Sequence, residues 1–207
     1  MGQKINYYSL ADHDYLLDQA LAVYIDSFQR EEIVNTLLDI NEETVGDYQD
    51  ALAATLKQML KAGHECVLAC IDGKVLGLAI LSYPNPENQE QVSSQDKLKT
   101  LKEQAKFLKM IRYRNLPRLV KTYPLKSGWR DDHATLEILA VSSKAQGKRI
   151  GSGLINHIKD HKLKNSQGLY LTTGNAKTAD FYQSFGFQLV EEKSSHGLNV
   201  YQLVYSK

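Results

Sequence analysis

Residues 136–154, LEILAVSSKAQGKRIGSGL, constrain the chain more than any other stretch. An apolar strand runs into a turn containing Gly147, which opens, with Gly151 and Gly153, directly onto an amphipathic helix. The first amides of a helix lack intrahelical acceptors, and the aligned peptide dipoles add partial positive charge beside them. Such an end attracts phosphate. The turn around Gln146, Gly147 and Gly151 therefore predicts a phosphorylated ligand. A dinucleotide fingerprint needs G-x-G-x-x-G, which these glycines do not supply, and a P-loop needs a Gly-Lys-Ser/Thr ending that the sequence lacks.

Composition narrows the setting. With 207 residues, 43% of them hydrophobic, the chain suits one globular domain, 1–207. Its 25 basic and 24 acidic residues nearly cancel, so no whole-protein field calls for nucleic acid or an anionic membrane. No apolar run approaches the roughly 20 residues that span a bilayer. Met1-Gly2-Gln3-Lys4 leads into a polar strand rather than a secretory apolar region, and Asn6 stands where a myristoylation signal carries Ser or Thr. On one strand Cys66 and Cys70 would share a face about 13 Å apart, too far for a disulfide, so they read as small buried residues in a reducing compartment. A cytoplasmic protein is expected, with no membrane span and no nucleic-acid partner.

Periodicity predicts a mixed α/β order. A strand at 5–10 precedes a helix with Asp12 as N-cap and Leu17, Ala20, Leu21, Tyr24 and Phe28 on one stripe. A second helix is expected at 44–61. Strands at 66–71 and 75–81 flank Asp72-Gly73, a strong two-residue hairpin signal. Residues 94–121 carry apolar positions at helical spacing amid seven Lys and Arg residues, from Lys97 to Arg114, and predict an inserted helix within about 87–125. Strand 133–141, helix 150–162, strand 169–172, helix 176–185 and strands 187–192 and 198–205 complete the order. A twisted, mostly antiparallel sheet flanked by helices is expected.

Two motifs carry a family resemblance. Q-G-K-R-I-G at 146–151 resembles the acyl-CoA-binding motif of the GNAT superfamily of N-acetyltransferases, Q/R-x-x-G-x-G/A. Gln146 and Gly151 match, and Arg149 replaces the middle glycine. The backbone amides can still face the pyrophosphate if Arg149 adopts ordinary helical dihedrals, because only a positive φ specifically favours glycine. Residues 175–187, NAKTADFYQSFGF, resemble the family's N-x-x-A-x-x-F-Y-x-x-x-G-F. Asn175 is a plausible N-cap, Tyr182 falls on the same helix face, Phe181 and Phe185 form an i,i+4 pair, and Gly186 suits a left-handed C-terminal cap. The likeness covers 76–205 well and the N-terminal third only by order of elements. His133, Leu136, Leu139 and Val141 also fit members whose central strand follows a helical insertion.

The resemblance implies a GNAT-like single domain that transfers an acetyl group from acetyl-CoA to a primary amine of a small molecule or protein, by direct attack in a ternary complex. It implies that Leu139, Ala140 and Val141 hold the pantetheine arm as an added strand. Gln146, Gly147, Lys148, Arg149, Ile150, Gly151 and Ser152 would hold the pyrophosphate, Asn175 would be a further cofactor contact, and the thioester would lie near Tyr182. A phenol with a reference pKa near 10 is protonated at neutral pH, so Tyr182 is the candidate acid for the leaving thiolate. An amine acceptor must lose a proton, and Glu137, on the central strand with Thr135, Leu139 and Val141 expected on its face, is the candidate base. His133 is the second choice. The run Tyr24, Phe28, Arg30, Glu31, Glu32 is a candidate acceptor wall. His157 and His161 have a zinc-helix spacing, but Ile158 occupies the place of the catalytic glutamate, and no metal is expected. A non-catalytic module that binds acyl-CoA or a partner stays open as the alternative, as does a homodimer.

Overall fold

The computed structural model describes residues 4–28, 38–84, 128–195 and 198–207. The basic segment expected to form the inserted helix falls outside the described residues. The elements are β1 (Asn6–Ser9), α1 (Leu17–Phe28), α2 (Val45–Lys61), β2 (Glu65–Ile71), β3 (Lys74–Ser82), β4 (Ala134–Val141), α3 (Ile150–His161), β5 (Gly168–Thr173), α4 (Ala176–Gln183), β6 (Gln188–Ser195) and β7 (Leu198–Ser206). Asp12 does not cap α1: it ends one short 3-10 turn, a second turn follows, and the helix starts only at Leu17. Aspartate in such a turn mimics a cap signal, because its short side chain suits both settings.

The strands form one sheet in the order β1-β2-β3-β4-β5-β7-β6. Every pairing is antiparallel except β4 with β5. Asp72 and Gly73, at φ 49° and 74°, supply the two left-handed residues of the β2–β3 hairpin. β2 is buried on both faces. Val67, Ala69 and Ile71 join the core under α3 and α4, while Cys66, Leu68 and Cys70 face α1 and α2. Both cysteines are free and buried, as their spacing requires. Tyr24 from α1 and Leu52 and Leu56 from α2 close the second layer. Among the described residues no helix is long and apolar enough to cross a membrane.

Two irregularities in β4 shape the centre of the sheet. Leu81 pairs with Leu136 and Ile80 with Ile138, which leaves Glu137 as an extra residue on β4, a β-bulge. The bulge inverts the alternation expected from the sequence. Leu136 lies in the same core as Leu139 and Val141, whereas Ile138 and Ala140 face the α1–α2 layer. Leu139 and Val141 therefore do not continue a single face from Thr135 through Glu137. Secondly, β4 and β5 pair only at Ala134–Leu169 and Thr135–Tyr170. Beyond Thr135 the two parallel strands part.

Candidate active site

The open side of β4 leads into the turn singled out by the sequence. Asp26 of α1 anchors that turn: its carboxylate accepts from the Ser143 N–H at 2.8 Å and from Ser143 Oγ at 3.3 Å. Ser142 N–H reaches Leu76 O on β3 at 2.9 Å. Within the turn, Gln146 and Lys148 spend their amides on Ser143 O and Ala145 O. The N–H groups of Gly147, Arg149, Ile150, Gly151 and Ser152 make no main-chain hydrogen bond among the described residues. This is a cluster of donors at the head of a 12-residue helix, suited to a polyanion.

Arg149 does not meet the condition set by the sequence. It is the residue before α3 and adopts φ 61°, ψ 22°, a left-handed conformation rather than a helical one. The family's glycine at this position matches that geometry, and here an arginine carries the strain. Gly147, at φ 77°, meets the same demand without a Cβ. Ile150 is fully buried and fixes the helix to the sheet, while residues 146–149 stay exposed.

α4 follows its motif closely. Asn175 Oδ1 accepts from Thr178 N–H at 3.2 Å, so this side chain is committed as the N-cap. Gly186 lies at φ 84° beyond the last turn, where a left-handed cap is needed. Tyr182 is buried, edge-on to Phe181 at 5.3 Å and to Phe187 at 5.4 Å. It belongs to the core cluster that also takes in Leu139 and Val141. A Cβ on Gly151 would touch Val141, Leu139 and Phe181 at 3.6–4.0 Å, so strand, turn and α4 converge there.

Glu137 sits at the other end of the opening. The bulge turns it into a cavity of about 530 Å³ shared with His64, Ser82, Pro84, Arg130 and Thr135. Ser82 Oγ donates to Glu137 Oε1 at 2.7 Å, and Arg130 forks onto both carboxylate oxygens at 2.9 and 3.4 Å. Glu137 is 18% exposed and Arg130 47%. The Arg130 guanidinium also lies over the Tyr170 ring at 5.8 Å from its centre.

Other candidates fall elsewhere. His133 is buried, its Nδ1 bonded to Asp132, and it does not line the cavity. Tyr24 packs in the α1–α2 core against Phe28 at 4.7 Å instead of walling a cleft, and burial raises its pKa. Residues 30–32 fall outside the described residues. His157 stacks on Tyr7 at 4.4 Å, and burial, then His161, lowers its pKa. Arg130, Ser82 and Asp26 were not foreseen. No local motif marks them, because each gains its partner only through the fold.

Residues 119–189 match the model of the acetyltransferase (GNAT) domain. No curated protein resembles the sequence closely enough to count as a relative. Solved structures resemble it along their whole length. A histone acetyltransferase HPA2 and related acetyltransferase from Corynebacterium glutamicum superimposes with a TM-score of 0.64 at 16% identity, covering 99% of this chain and 94% of that one. A protein of Pyrococcus horikoshii gives 0.60 at 18%, covering 99% of each chain. An N-acetyltransferase from Staphylococcus aureus gives 0.54 at 16%, covering 98% of each. Residues 119–189 thus resemble the GNAT acetyltransferase domain, and the chain as a whole shares its fold with these solved structures.

Proposed function

We propose that the chain, as one domain over 1–207, is an acetyl-CoA-dependent N-acyltransferase that acts on a primary amine in a ternary complex. The observation that carries this reading is the parting of β4 from β5 after Thr135, continuous with the undercommitted amides at the head of α3. An extended amide-bearing arm can pair with Leu139, Ala140 and Val141 where β5 does not, as an added strand does at any open sheet edge. The amides of Gly147 and 149–152 suit its pyrophosphate, with the Lys148 and Arg149 side chains alongside. The chain's residues thus fit coenzyme A. Asn175 fits a supporting part, since its side chain is spent on capping the helix that carries Tyr182.

Acetyl-CoA, when bound, supplies a thioester carbonyl and a thiolate leaving group. Glu137 receives the proton that the amine nitrogen loses as its lone pair forms the new C–N bond. Tyr182 gives its phenolic proton to the sulfur as the C–S bond breaks. Ser82 and Arg130 hold the Glu137 carboxylate in one orientation for that transfer.

Thermal-shift titration with acetyl-CoA, followed by thiol release against a panel of amines, tests the reading. Stabilisation by acetyl-CoA with thiol release dependent on an amine supports it. Stabilisation without release across the panel favours a non-catalytic acyl-CoA-binding module instead.

A further inference from the structure

The cavity beside Glu137 presents two opposite charges to one small volume. Glu137 lies on the bulge of β4, and Arg130 comes from the short 3-10 turn Gly128–Asp131. Their closest atoms are 2.9 Å apart. Arg130 is fixed on one side by both carboxylate oxygens of Glu137 and rests over the Tyr170 ring, yet nearly half of its side chain is open. A guanidinium has five N–H donors, and the two forked bonds to Glu137 leave further donors for a second acceptor. Held this way it is a preorganised receptor for a carboxylate, with little rotamer freedom left to lose on binding.

We infer that the acceptor is a zwitterion: a small amine that carries a carboxylate close to its nitrogen, as in a free amino acid. The inference rests on the N-acyltransferase reading and concerns the same site. The acceptor's ammonium meets Glu137; it gives one proton to water to become the free amine, and Glu137 takes the second as the C–N bond forms. Its carboxylate takes the remaining Arg130 donors, one carbon away from the amine as Glu137 is one contact away from Arg130. The Ser82 hydroxyl stays on Glu137 and helps keep the bulge carboxylate in place while Arg130 offers its remaining donors to the ligand. A cavity of about 530 Å³ has room for such a molecule. Asp131 also lines the cavity and is exposed to water, where its field is screened, so an amine without a carboxylate would leave the remaining Arg130 donors to water.

The test compares three forms of each acceptor with acetyl-CoA: the free amino acid, its carboxamide, and the amine lacking the carboxyl group. The wild type is expected to prefer the free acid by about tenfold or more in kcat/KM, as expected for loss of a charge-assisted hydrogen bond. Arg130→Gln is expected to erase that preference by raising KM for the acid far more than for the amide, with any fall in kcat from a looser Glu137 shared by both. Equal rates on all three forms by the wild type overturn the inference. So does an Arg130→Gln enzyme that keeps the preference and loses kcat equally on every acceptor, since Arg130 would then serve only to orient Glu137. Thiol release from none of the amines, with acetyl-CoA bound, overturns the transferase reading itself.

Discussion

On the proposed reading the two ends of β4 are a donor end and an acceptor end, and they present different parts of the chain. At the Val141 end the work falls to main-chain groups: an open strand edge, and amides left uncommitted by a left-handed turn. At the Glu137 end it falls to side chains: a carboxylate turned out by a bulge and gripped by Ser82 and Arg130. Main-chain recognition suits a donor whose phosphates and amides never change, because it depends on backbone path rather than residue identity. Side-chain recognition suits an acceptor that must be chosen. A single strand can serve both because the bulge at Glu137 separates them.

The sharpest way to break this contrast is to neutralise one end and ask whether the other notices. Glu137→Gln keeps the Ser82 and Arg130 neighbours and should lower kcat by about 100-fold or more, the scale of a lost general base. Thermal-shift titration should show acetyl-CoA binding unchanged. Weakened donor binding would mean that the two ends are not separable. Tyr182→Phe keeps the ring contacts to Phe181 and Phe187 and should cut kcat by about tenfold, again without loss of acetyl-CoA binding. Wild-type turnover would remove the phenol from the acid role.

Two substitutions probe the donor end through the backbone. Gly77 lies opposite Val141, and a Cβ there would stand 2.5 Å from Ile150 Cγ2 and 3.2 Å from Ala140 O. Gly77→Ala should push the head of α3 off the sheet, costing about 1–3 kcal/mol in denaturant unfolding. Acetyl-CoA affinity should fall with it. Arg149→Gly removes the left-handed strain and should stabilise the fold by about 1 kcal/mol, a rise of about 2–4 °C in Tm. Unchanged or lower Tm would mean that the arginine side chain repays its backbone conformation by contacts of its own.

The smallest expected effect concerns the cysteines. Burial, reinforced by Glu65, pushes the Cys66 thiol up to about 12, and burial raises Cys70 as well. Neither should react with a thiol reagent at neutral pH until the protein unfolds. Rapid titration of either in the native protein would contradict the double-sided burial of β2.

What could be read from the sequence divides along the same line. The local structure of the turn and of α4 was legible because backbone demands leave local marks: Gln146 and Gly151 at fixed spacing before a helix, Asn175 as a cap, Gly186 as a stop. The surroundings of Glu137 were not. Glu137 stands in an apolar run, and nothing local marks the extra residue that bends its strand, so a simple alternation put Leu139 and Val141 on its face. Arg130 and Ser82 meet Glu137 only after the sheet assembles, across 7 and 55 residues of chain. Arg149 misled for a related reason. A residue type records what the chain tolerates there, and the left-handed turn is imposed by the strand and helix on either side.

A crystal structure with coenzyme A bound measures the central claim most directly. The account predicts pyrophosphate oxygens on the amides of Gly147 and 149–152, and a pantetheine arm laid along Leu139–Val141 in the gap left by β5, pointing its sulfur toward Glu137. Nucleotide seated anywhere else, with the gap filled by the protein's own side chains and the turn capped by the Arg149 guanidinium, would contradict it.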